Sequence, residues 1–165
     1  MKLVSYSTVD APERLGLFID GHVFDIADAA TRLSLETPDS MLQLLQQGDP
    51  AMDACRSVAQ SCTSGSVAPL GPGSFRLLAP IPHPPTCRDA YAFRQHVATA
   101  RRNRGAEMIK EFDEYPVFYF TNHHSIIGEG DVVVESDHLQ KLDFELEAAI
   151  VIGKGGRNIR SKDAD

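Results

Sequence analysis

Asp143, Glu145 and Glu147 alternate with Leu142, Phe144 and Leu146 in the run Leu-Asp-Phe-Glu-Leu-Glu. Alternation of this kind puts the three carboxylates on one face of an extended strand and the apolar side chains on the other. Neighbouring carboxylates then stand roughly 7 Å apart, two residues of strand rise, and repel one another. Two readings are open: a site for a hard cation, or an acidic face turned to water. The run continues into Ala148-Ala149-Ile150-Val151-Ile152, apolar on both faces, which predicts a central strand over residues 142–153. A carboxylate pair entering such a strand needs a cation, a basic partner or a raised pKa.

A second constellation precedes it. Residues 89–103 have helical composition after the helix-start residues Thr86, Cys87, Arg88 and Asp89, and a helix beginning there sets Asp89 and His96, seven residues apart, on one face. Taken singly, Asp89 reads as an N-cap and His96 as a surface histidine; the pair is more informative. Arg101, Arg102 and Arg104 close this helix, where cations suit its carboxyl end or could hold an acidic substrate. Residues 115–120, Tyr-Pro-Val-Phe-Tyr-Phe, read as a strand running into His123 and His124, a loop-end pair, and residues 131–135 as another strand.

The elements that must position these residues begin with an antiparallel unit over residues 2–28, whose strands 14–19 and 22–26 flank Asp20-Gly21, a dipeptide suited to tight hairpin turns. Short helices are expected over 27–35, 40–47 and 50–61, the second capped by Asp39 or Ser40 and stopped at Gly48. A Ser-, Gly- and Pro-rich stretch over 62–73 reads as a linker, dividing a small amino-terminal domain (1–72) from a second domain (73–165). A strand over 75–81 follows, and Pro80, Pro82, Pro84 and Pro85 hold the next segment extended. Gly153-Lys154-Gly155-Gly156-Arg157 lacks phosphate-loop spacing and reads as a turn, and residues 161–165 as the start of a helix.

The 165 residues carry a net charge of −7, which argues against sequence-independent nucleic-acid binding and against attachment to an acidic membrane. Cys55, Cys62 and Cys87 are odd in number and lack Cys-x-x-Cys spacing, so neither a disulfide framework nor a structural zinc site is expected. With no signal-peptide pattern after Met1 and no run of transmembrane length, the expectation is a cytoplasmic protein.

Asp89-Ala-Tyr91-Ala-Phe93-Arg94-Gln95-His96, followed by Asp143-Phe-Glu145-Leu-Glu147 and Val-Ile-Gly-Lys-Gly, resembles the fumarylacetoacetate hydrolase family. The resemblance implies an α+β, mostly β fold: a small amino-terminal domain of hairpin and helices, then the first part of a mixed β-roll or barrel. It implies a divalent ion, magnesium or calcium with manganese as a third candidate, held by Asp89, Glu145 and Glu147; hard oxygen donors suit such ions. His96 corresponds to the general base, and Tyr91 and Tyr119 to substrate contacts. The implied activity is hydrolysis of a carbon–carbon bond in a β-diketone or acylpyruvate. Decarboxylases, hydratases and tautomerases of related oxo acids are the alternatives, and a homodimer is the implied assembly. Thr121-Asn122 stands where many relatives carry Lys-Pro. The family's large domain extends past Asp165, so the chain resembles the amino-terminal half of such an enzyme, or a fragment that needs a partner.

Overall fold

Asp20 and Gly21 take positive φ, 49° and 84°, and turn Arg14–Ile19 (β2) back on His22–Asp25 (β3). The computed structural model describes residues 1–164, so of the helix expected over 161–165, Asp165 lies outside the described residues; Ser161–Asp163 form a single 3-10 turn. The α+β class holds. The described residues form two compact units: Met1–Pro82 with the described residues from Ile127 onward, and His83–Ile126.

In the first unit, Lys2–Ser7 (β1) pairs antiparallel with β2 and with Arg76–Leu77 (β4), giving the order β3-β2-β1-β4. The strand expected over 75–81 shrinks to two residues because Pro80 and Pro82 have no N–H to continue a ladder. Three helices cover the sheet: Ile26–Leu33 (α1), Met41–Gln47 (α2) and Asp49–Thr63 (α3). Ser40 caps α2 by accepting from the Gln43 amide, and Gly48, with φ 69°, ends it. The buried face of α3, Ala51, Cys55, Val58 and Cys62, follows helical spacing. It packs with Leu17, Ile26 and Leu44 into one core, each large aliphatic side chain contributing about 1.5–3 kcal/mol by burial.

Among the described residues of this unit, one charged side chain, that of Asp25, is buried. Asp25 accepts from the Tyr6 hydroxyl, from Arg14 Nε and from the Asp28 amide, so it both caps α1 and forms a buried ion pair. Burial alone would raise its pKa. The Arg14 and Tyr6 hydrogen bonds, the Asp28 amide and the Arg14 charge outweigh burial and hold the carboxyl below its ordinary value.

The central strand expected over 142–153 is not formed: those residues have no assigned secondary structure, and Phe144, Leu146 and Ile150 are 84%, 94% and 87% exposed. Alternation specifies faces, but a strand persists only where a neighbour takes its backbone hydrogen bonds, and no strand pairs with this one among the described residues. Residues 131–135 likewise form no strand. Instead, Glu129 O accepts from Arg76, and Gly128 lies against the Leu78 backbone.

The second unit holds a two-stranded ribbon, Arg88–Ala90 (β5) antiparallel to Phe118–Phe120 (β6), with Arg94–Asn103 (α4) and Glu111–Glu114 (α5). The expected helix start at Asp89 is therefore corrected, because pairing with the aromatic strand claims residues 88–90 and delays the helix to Arg94. Asp89 caps no helix, and it shares no helical face with His96.

Candidate functional site

Asp89 sits in the middle of β5, directly opposite Tyr119 of β6. Direct cross-strand partners share a face of the ribbon, and the Tyr119 hydroxyl donates to Asp89 Oδ2 at 2.6 Å. The other face carries Arg88, whose guanidinium lies over the Phe118 and Phe120 rings at 5.7 and 4.6 Å from their centroids. The ribbon thus separates its carboxylate from its nearest cation in sequence.

Tyr91 follows β5 directly, its amide donating to Val117 O, and its ring centroid lies 6.3 Å from that of His96 in the first turn of α4. Both side chains are exposed. The start of α4 is held in two ways. Val97 is buried, and Arg94 forms a two-pronged ion pair with Asp113, at 2.7 and 3.1 Å. That hydrogen bonding raises the Arg94 pKa and lowers that of Asp113. Arg101 and Arg102 occupy the last turn, and Arg101 Nε donates to Glu107 O. His123 and His124 form a 3-10 turn beyond the end of β6, with rings 4.3 Å apart, as the loop-end pair expected from the sequence.

Of the expected site residues, Asp89, Tyr91, His96 and Tyr119 therefore belong to one compact unit. Glu145 and Glu147 are exposed on residues without assigned secondary structure. The donor chemistry suits a hard divalent cation; among the described residues no three His, Cys, Asp or Glu side chains form a group able to hold a metal ion. Sequence reasoning did not anticipate the Arg94–Asp113 and Arg88–Phe118–Phe120 contacts. Their partners lie far apart in sequence, and no local periodicity marks them.

The fumarylacetoacetate (FAA) hydrolase C-terminal domain profile matches residues 86–165. Residues 86–165 belong to the fumarylacetoacetate hydrolase family. It is 28% identical to the mitochondrial oxaloacetate tautomerase fahd2 of Xenopus laevis, over 99% of this chain and 48% of that protein. It is 30% identical to the oxaloacetate tautomerase YisK of Bacillus subtilis, over 91% of this chain and 51% of that protein. The chain thus spans about half the length of these relatives. No helix among the described residues is long and apolar enough to cross a membrane.

Proposed function

We propose that this chain supplies the amino-terminal domain and the first part of the catalytic domain, residues 73–165, of an enzyme that interconverts the enol and keto forms of a small oxo acid such as oxaloacetate. The observation that supports it best is the likeness, along nearly the whole chain, to two proteins named oxaloacetate tautomerases. The exposed His96 and Tyr91, held side by side, agree with it. Tautomerisation moves one proton: an O–H bond breaks, a C–H bond forms on the neighbouring carbon, and the double bond shifts from C=C to C=O. His96 takes the hydroxyl proton as general base, and its imidazolium can return a proton to carbon. Tyr91 lies beside it to contact the substrate. A divalent ion held by Asp89, Glu145 and Glu147 would supply positive charge to the substrate's oxygens.

Carbon–carbon bond hydrolysis of an acylpyruvate is the second reading, supported by the family itself. It would use the same histidine on water. The two differ in stoichiometry, because hydrolysis consumes water and splits the substrate. The expected assembly is a homodimer and the expected setting the cytoplasm, the latter supported by three cysteines that are all free.

Following the ultraviolet absorbance of enol-oxaloacetate beside that of an acylpyruvate, with and without magnesium, tests both. Faster enol decay that falls roughly a hundredfold or more in His96→Ala is expected. Consumption of the acylpyruvate with enol decay unchanged would overturn the tautomerase reading in favour of the hydrolase.

A further inference from the structure

We propose that residues 143–153 form a strand against the same residues of a second copy of this chain, antiparallel about a two-fold axis at Ala148. The homodimer expected above thereby gains a specific interface. Phe144, Leu146, Ala148, Ile150 and Ile152 are all exposed, and among the described residues no backbone–backbone hydrogen bond falls within residues 143–153. Unpaired N–H and C=O groups beside exposed apolar side chains are a template for another strand. A copy of the same segment suffices as partner, because an interface with two-fold symmetry needs only one self-complementary surface.

Charge selects the register, since like charges directly opposite one another destabilise a strand pair. An axis at Glu145 sets Glu145 on Glu145 and Asp143 on Glu147; an axis at Leu146 sets Glu145 on Glu147; an axis at Glu147 sets that residue on itself. An axis at Ala148 is free of such pairs: Glu147 faces Ala149, Glu145 faces Val151 and Asp143 faces Gly153. The even-numbered residues then meet as Phe144 with Ile152, Leu146 with Ile150, and Ala148 with itself. Direct partners share a face, so both copies gather their apolar side chains on one side and their carboxylates on the other. Moving the axis on to Ala149 or Ile150 brings Lys154 opposite Phe144 or Leu146 and breaks the apolar face. The paired segment spans about 36 Å, and pairing along it covers on the order of several hundred Å² per copy, at the small and reversible end of interface sizes.

Sedimentation of the whole chain over a range of concentrations and salt tests the pairing. Wild type is expected to associate as concentration rises, and more tightly at high salt, which screens the two Glu147 carboxylates set diagonally across the axis at roughly 7–8 Å. Ile150→Lys should weaken association about tenfold or more, because each dimer loses two paired isoleucines and gains an inward charge on each strand, while melting stays unchanged. The register is read in a Cys87→Ser chain, whose two remaining thiols are buried. Under oxidised glutathione, Ala148→Cys should form a covalent dimer, whereas Ala149→Cys, two residues out of line with its own copy, lies beyond disulfide reach. A wild-type chain that stays monomeric throughout overturns both the homodimer and this pairing. A dimer that Ile150→Lys leaves intact, or that Ala149→Cys links as readily as Ala148→Cys, keeps the homodimer and overturns the pairing. Association that weakens with salt also overturns it, in favour of the acidic residues seating on Arg101, Arg102 and Arg104 at the end of α4.

Discussion

Replacing Asp25 with alanine should destabilise the amino-terminal unit more than almost any other single change, for reasons that can be counted. The side chain is 4% exposed and accepts three hydrogen bonds, from Tyr6, Arg14 and the Asp28 amide. Removing one partner of a buried ion pair costs about 3–5 kcal/mol, mostly because the other charge is left without an acceptor. Arg14 is one-third exposed and lies 3.5 Å from Asp28, so it can turn to water and to that second carboxylate. The loss should therefore fall at the lower end, about 3 kcal/mol including the helix cap. In a chain of this size that lowers the melting temperature by roughly 6–12 °C. Urea unfolding followed by far-ultraviolet circular dichroism measures it, with an unchanged slope marking a pure stability effect.

The same residue sets a pH dependence. The folded-state pKa of Asp25 lies below the unfolded value of about 3.9. Its stabilisation is therefore fully present above that value and is lost as pH falls through the folded-state pKa. Asp25→Asn should flatten the acid limb of the stability profile and leave the neutral region parallel to wild type. An Asp25→Ala protein with the wild-type urea midpoint would refute the reasoning, since three hydrogen bonds to a buried carboxylate cannot be lost without effect.

Gly128→Ala should cost roughly 1–3 kcal/mol. The added methyl would meet Leu78 backbone atoms at 2.6 Å, so residues 127–130 must lift from the backbone that follows β4; faster hydrogen exchange of the Leu78 amide, which donates to Ser5 O, would report it, and unchanged exchange would count against that packing. Arg94→Gln should leave the melting temperature nearly unchanged, because the Arg94–Asp113 pair is exposed. If that pair holds the start of α4, and with it His96, turnover should nevertheless fall several-fold, and a variant with full turnover would remove its positioning role.

The features read correctly from sequence have determinants within a few residues of one another. Asp20-Gly21 turns the hairpin by its own φ preferences, and Ser40 and Gly48 bound α2 through bonds three or four residues long. Asp89 was misplaced for the complementary reason. Locally it follows helix-start residues, but its conformation is decided by Phe118–Phe120, which pair with residues 88–90 from far along the chain. The Tyr119–Asp89 bond is a consequence of that register, so it could not be found without it.

Residues 142–152 take the argument one step further. Their alternation states which side chains would share a face, and it remains a good description of what a strand there would do. With Phe144, Leu146 and Ile150 in water, however, the segment forgoes the roughly 25 cal/mol per Å² that burial would return, and no neighbouring strand is present among the described residues to recover it. Glu145 and Glu147 inherit that condition. A carboxylate becomes a ligand only when its backbone is held, and here the hydrogen bonds that hold Asp89 exist while those that would hold the two glutamates do not. The chain spans about half of the relatives named above, and a strand over residues 142–152 would require a neighbour that takes up its backbone hydrogen bonds.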